Sequence, residues 1–354
     1  IHTQLSLSFD WDLQMVIGQA NLTLRPYYYP LYQIEIDAID FSLDSVAVWN
    51  NCSPVNFQYS YDGSQLKIKP HKVVHPNDTI EITIHYRATP TSDENHQSNG
   101  DDKGLYFILE DSLTNRRKEI WTLGETQWSA KWFPTINQPN EKATQSIYLT
   151  IDTAFTSISN GVLKESQFHN DGTKTDHWEL DIPHSPYLTS ITIGQYDRQK
   201  DTTGPIELEF FVHPGYKNDV PSIFGRVTEM INFFSDTFQY PFPWPNYKQI
   251  IVQDFVSGAM ENTTAVIFGD FIQGHKNEIN GIGNDAIVAH ELVHHWFGNL
   301  VTCENWANIT LNEGFANYGE AMWIGHFHGK EAGEYHRYIN AQEYFQDAYL
   351  SGPI

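Results

Sequence analysis

Leu5, Leu7, Phe9, Trp11 and Leu13 alternate strictly along the chain, as do Ile80, Ile82, Ile84 and Tyr86, and later Ile147, Leu149 and Ile151. A period of two puts each set on one face of a sheet, so the spacing predicts strands through the first half. Turn signals such as YDGS (61–64) and HPND (75–78) separate the runs, and TSDENHQSNGDDKG (91–104) reads as a solvated polar loop. The texture changes after about residue 200. Ile206, Leu208, Phe210 and Val212 alternate once more, and then Ile223, Val227, Met230, Ile231, Phe234 and Phe238 fall on one helical face. YPFPWPN (240–246) breaks that helix, KQIIVQDF (248–255) reads as a strand, and further helices are expected over 284–298 and about 310–325. The expected organisation is a β-rich domain over 1–200 followed by an α+β domain over 201–354.

Composition narrows what such a chain can do. Its 354 residues suffice for two domains, and 40% hydrophobic with 14% aromatic residues is the make-up of a packed globular protein. A balance of 21 basic to 44 acidic side chains gives a net charge of -23, which repels phosphate backbones and argues against nucleic acid as a partner. No run of 18 uncharged apolar residues occurs, so no membrane span is expected. Cys52 and Cys303 are the only cysteines, which excludes a disulfide framework and leaves histidine and carboxylate as the available metal ligands. The start at Ile1 is read as the trace of a removed leader or tag. With the acidity and the scarcity of cysteine, it suits a periplasmic or secreted location better than a cytoplasmic one.

VAHELVHHW (288–296) carries the chemistry. Asn284 and Asp285 can cap this helix and Gly298-Asn299 can end it. Residues four apart share a helix face, so His290 and His294 can aim two imidazoles at one ion. Glu291 sits roughly 100° further round, able to address a ligand of that ion without binding the ion. The plainer alternative is a pair of satisfied histidines on a histidine-rich helix. LNEGFANYGE (311–320) supplies a third ligand in Glu313, with Asn317 and Glu320 on the same face. Catalytic zinc takes three protein ligands and leaves a fourth position open, so Glu313 could complete the set. Glu320 could accept a hydrogen bond from a ligand imidazole, or be an ordinary solvated helix charge.

HELVHH, with a glutamate 19 residues after the second histidine inside NEGFANYGE, resembles the zinc aminopeptidases of the aminopeptidase N and leukotriene-hydrolase type. GAMEN (258–262) resembles that family's exopeptidase motif, and GETQWSAKWFPTINQPNEKAT (124–144) resembles a third segment of it, in the family's order. The resemblance covers essentially the whole chain and implies a thermolysin-like zinc peptidase domain behind a β-rich one. It implies one Zn2+ on His290, His294 and Glu313, with Glu291 as the general base. It implies that Glu261 and Glu125 bind the free α-amine of a peptide. The GAMEN segment of Gly258, Ala259, Met260 and Asn262 would line the substrate strand, Met260 bordering the first side-chain pocket. Leu123, Asn137 and Gln138 depart from the family's usual residues, which touches pocket shape rather than the reaction.

The family's oxyanion-stabilising tyrosine lies farther past the third ligand than the 41 residues, 314–354, that follow Glu313 here. None of Tyr335, Tyr338, Tyr344 and Tyr349 sits in its context. The chain is therefore read as an N-terminal fragment whose partner is the C-terminal portion of the same enzyme, with little activity alone. Three other functions use a similar motif set. A zinc endopeptidase would have no use for Glu261 and Glu125, a leukotriene-type epoxide hydrolase is disfavoured by GAMEN in place of GGMEN, and a zinc-binding fragment would turn nothing over.

Overall fold

The computed structural model describes residues 1–91, 102–274 and 281–352. The polar loop expected over 91–104 therefore falls, except for its ends, outside the described residues.

The alternating runs become neighbours in one eight-stranded sheet. Its strands lie in the order Val162–Phe168, Thr173–His184, Ala143–Asp152, His2–Asp10, Met15–Leu24, Ile80–Ala88, Phe41–Asn50 and Ser53–Pro54. All pairs are antiparallel except His2–Asp10 with Ala143–Asp152, which run parallel. Leu5, Leu7, Ile80, Ile82, Ile84, Tyr86, Ile147 and Leu149 all face one buried core. That core is shared with Ile34 and Ile36, and with Leu66 and Ile68, of a three-stranded sheet. The first run ends sooner than its pattern suggests. Asp10 Oδ1 accepts the backbone N–H groups of Asp12 and Leu13, turning the chain before Trp11 and Leu13 can extend the strand.

The second half builds a five-stranded sheet in the order Asp197–Asp201, Glu207–Val212, Asn246–Val252, Ala265–Gly269 and Ala259–Met260. With it pack α1 (Val220–Phe224), α2 (Val227–Phe238), α3 (Gly281–Val293) and α4 (Thr310–Phe327), while α5 (Lys330–Ser351) lies against α4. The single helix expected from Ile223 to Phe238 is two, interrupted at Gly225 and Arg226, yet its apolar residues still share one core. The α3 helix begins earlier than its caps suggested. Asn284 and Asp285 lie inside it, Asn284 donating to Ile272 O and Asp285 pairing with Arg226 at 2.7 Å and His328 at 2.9 Å. No helix among the described residues is long and apolar enough to cross a membrane.

The two halves meet in a third core. Tyr106, Trp121, Leu123, Tyr187 and Leu188 from the first interleave with Phe211, Ile250, Val252, Met260 and Ile267 from the second. Two polar side chains lock this seam. Gln253 exchanges hydrogen bonds with the backbone of Arg117 through its amide, while its own N–H donates to Glu119 and its carbonyl accepts from Trp121 Nε1. Asn160, almost fully buried, donates to Leu188 O and Thr263 O and accepts from Ser190 N–H.

Truncating Asn160 would strand buried backbone groups on both sides of the seam. Asn160→Ala is expected to destabilise the fold by about 2–4 kcal/mol, since each unsatisfied buried partner costs about 1–3 kcal/mol. Urea unfolding measures this directly, and a loss well under 1 kcal/mol would show that the seam is held elsewhere.

Candidate metal centre

The α-helical hydrogen bonding of α3 tightens just where the second histidine falls. His294 N–H still donates to His290 O, but the next two residues donate three positions back, to Leu292 and Val293. The turn closes at Gly298, whose φ of +130° suits only glycine, and a Cβ there would stand 3.0 Å from His294 Nδ1. The helix itself ends at Val293, short of the expected 298, and Gly298 and Asn299 close the tighter turns that follow it. His294 Nδ1 lies 3.1 Å from Phe297 O and His290 Nδ1 lies 2.7 Å from Glu320 Oε1. Each Nδ1 faces an acceptor, so each carries its proton and leaves the lone pair on Nε2. The two Nε2 atoms converge to 3.0 Å.

From α4, Glu313 Oε2 approaches the same point, 3.3 Å from His290 Nε2 and 3.6 Å from His294 Nε2. Zinc with bonds of about 2.0–2.2 Å in tetrahedral geometry has ligand-to-ligand edges of about 3.3–3.6 Å. Two edges of the triangle have that size, and the third, 3.0 Å between the two Nε2 atoms, is a little shorter; with the donor set that zinc prefers, the residues fit the ion. Glu320 is not a solvated charge. Its side chain is 15% exposed, with one oxygen on His290 and the other 2.7 Å from His336 Nε2.

The triangle lines a cleft of about 410 Å³ together with Glu125, Gly258, Ala259, Glu261, Glu291 and Glu320. Glu261 and Glu291 are almost fully buried, and Glu125 Oε1, Glu261 Oε1 and Glu291 Oε2 have no hydrogen-bond partner among the described residues. Burial, reinforced by the Glu313 charge, pushes the Glu261 carboxyl up to about 8. Burial likewise takes Glu291 to about 8, against the opposing pull of the two imidazoles. Glu125 is raised well above the carboxylate range by burial and then by Glu261. Glu313 goes the other way. Burial would raise it, but the facing imidazoles of His290 and His294 bring it below the ordinary range.

The remaining GAMEN residues divide. Ala259 and Met260 form the edge strand of the five-stranded sheet, paired only with Ala265–Gly269 among the described residues. Alternation along that strand sends Met260 into the shared core with Trp121, behind the cleft wall that Gly258 and Ala259 form. Asn262 is fully buried away from the cleft wall, with both amide atoms lacking a partner among the described residues.

Sequence reasoning missed three residues that shape the site. Tyr187, fully buried, has its hydroxyl near enough to Glu261 to oppose the rise of that carboxyl, and it accepts from Asn312 of α4 at 3.2 Å. His295 accepts from Thr264 N–H at 3.1 Å through Nε2 and donates to Glu291 O, tying the loop after Glu261 to α3. Lys142 donates to Asn299 O and Leu300 O, bracing the end of the histidine segment from the other half of the chain. The doubled histidine in HELVHH and the lysine in KAT were visible signals, whereas nothing in the residues around Tyr187 marks it out.

A two-histidine, one-glutamate triangle on two helices, with a buried carboxylate beside it, is the arrangement of HExxH zinc hydrolases. The family comparisons agree. The Peptidase M1 N-terminal domain matches residues 1–188, more than half of the chain, and the Peptidase family M1 domain matches residues 223–350. The chain belongs to the M1 peptidase family, whose members are zinc metallopeptidases. It is 32% identical over 202 residues to the glutamyl aminopeptidase of Rattus norvegicus, covering 55% of this chain and 21% of that protein. It is 31% identical over 241 residues to endoplasmic reticulum aminopeptidase 1 of Homo sapiens, covering 65% and 26%. The chain therefore spans about a fifth to a quarter of the length of these curated relatives.

The raised carboxyls give the metal-free fold a characteristic pH response. Between the ordinary carboxylate value of 4.5 and about 8, the native state keeps protons that the unfolded chain has released, so stability falls as pH rises through that window. Glu261→Gln, which cannot ionise, is expected to flatten the decline between those two values. Urea unfolding of the metal-free protein across that range tests it, and an unchanged slope in the variant would remove Glu261 from the explanation.

Proposed function

We propose that this site removes single N-terminal residues from peptides as a zinc-dependent aminopeptidase, with one zinc ion held by His290, His294 and Glu313. In this reading residues 1–200 form a β domain that contributes Glu125, and residues 201–354 form a thermolysin-like catalytic domain. The observation that carries the proposal is the pair of unpartnered buried oxygens, on Glu125 and Glu261, in the cleft beside the ligand triangle. Buried acceptors of this kind call for a cation with several N–H donors, and the terminal ammonium of a peptide is one. Anchored there, the amine sits at a fixed distance from the triangle, which limits cleavage to the first peptide bond.

The bound ion would polarise the scissile carbonyl and acidify the attacking water. Glu291 accepts the water's proton at its free Oε2 and hands it to the departing amine. The unpaired edge of Ala259–Met260 receives the substrate backbone as an added strand.

Two measurements on the complete protein test this. Glu291→Gln is expected to lower kcat by about 10²–10⁴-fold while zinc content stays at one ion per chain. Alanine at His290, His294 or Glu313 should instead lose the metal, and normal turnover by Glu291→Gln would defeat the mechanism. N-acetylation of an aminoacyl arylamide removes two charge-assisted hydrogen bonds worth about 1.5–3 kcal/mol each, so kcat/KM should fall by about 10²–10⁴-fold. Equal cleavage of free and acetylated substrate would point to an endopeptidase.

A further inference from the structure

Of the two ligand imidazoles, His294 is oriented by a backbone carbonyl and His290 by a side chain. A carbonyl is fixed by the chain that carries it. Glu320 is not, because the last torsion of a glutamate is broad and a single contact leaves the carboxylate plane unset. The structure supplies a second contact. His336, on α5, brings its Nε2 to 2.7 Å from Glu320 Oε2, while Glu320 Oε1 holds His290 Nδ1 at the same distance. With a donor on each oxygen the carboxylate has one orientation left.

We propose that His336 is a positioning residue for the metal centre, acting through Glu320 to fix the aim of the His290 imidazole. The inference rests on the zinc reading above. His336 touches none of the three ligands. It keeps Glu320 turned toward Nδ1, which keeps the proton on that nitrogen and the lone pair on Nε2, directed at the corner shared with His294 and Glu313. His290 is also the more exposed of the two ligand imidazoles, at 17% against 1%, so packing constrains it less and its orientation depends more on this hydrogen-bonded support. An ordinary staple between α4 and α5 would use the same contact, but it would not bear on metal affinity.

The test is zinc affinity of the complete protein, measured by competition with a chromophoric chelator, alongside thermal unfolding of the metal-free form. His336→Gln places an amide donor where Nε2 now sits, whereas His336→Asn is of similar polarity but too short to reach Glu320. His336→Asn is expected to weaken zinc binding about 10- to 100-fold, the usual effect of losing an outer partner of a ligand histidine, and His336→Gln should recover most of that. Glu320→Ala should weaken binding to a similar extent, with His336→Asn adding nothing in that background. Unchanged affinity in His336→Asn, failure of His336→Gln to recover affinity, or losses that add in the double variant would each overturn the proposal. His290→Ala tests the underlying reading separately. If it retains zinc, the assigned centre is wrong, and if it loses zinc while His336→Asn does not, only the role of His336 falls.

Discussion

Five carboxyl groups, those of Glu125, Glu261, Glu291, Glu313 and Glu320, line one cleft, and the imidazoles facing them come from His290 and His294. Oxygens of Glu125, Glu261 and Glu313 lie within 4.8 Å of one another. Two like charges at about 5 Å repel by about 3 kcal/mol even at an effective dielectric of 20, so the cluster cannot ionise fully as it stands. The chain divides the protons unequally. Glu313 ionises against the histidines, while Glu125, Glu261 and Glu291 hold their protons far more tightly than solvent-exposed carboxyls do. The result is a pocket short of positive charge, held in that condition by its surroundings. Any cation that enters is stabilised by the repulsion it relieves, which couples binding to folding.

Holding such a cluster together requires that its members cannot drift apart, and they come from distant parts of the sequence. Glu125 follows the strand Glu119–Thr122 in the first half, and Glu261 follows Ala259–Met260 in the second. Gln253 joins the two halves that carry them with bonds to Arg117, Glu119 and Trp121. Lys142 and His295 do the same for α3, one from the β-rich half and one from within the helix segment. A shared apolar core behind these contacts keeps water from competing for them.

Much of this was legible in the residues because it depends on period. Alternation at Ile80 to Tyr86 and four-residue spacing at His290 and His294 are geometric consequences of strand and helix, and both meet as their spacing requires. Glu313 was legible through its motif, and its contact with the histidines follows from two helices packing. What period does not carry was harder to see. Asp10 ended a strand by capturing two N–H groups, a local competition that the apolar pattern over Trp11 and Leu13 concealed. Asn284 and Asp285 looked like caps, but tertiary partners at Ile272, Arg226 and His328 placed them inside the helix. Met260 lies in a motif whose neighbours reach the cleft, yet strand alternation turns its side chain the other way. Tyr187 depends wholly on the fold, since nothing near it in sequence foretells Glu261.

The parallel pairing of His2–Asp10 with Ala143–Asp152 also governs the order in which this molecule can assemble. His2–Asp10 finds its antiparallel partner, Met15–Leu24, within a few residues, but its other edge waits for a segment more than a hundred residues later. During synthesis that edge stands open with Leu5 and Leu7 beside it while the intervening chain is made. Closure of so long a loop is slow compared with hairpin formation, and an open strand edge is a template for the wrong partner. Among the pairings of the eight-stranded sheet, that parallel one therefore closes one of the longest loops.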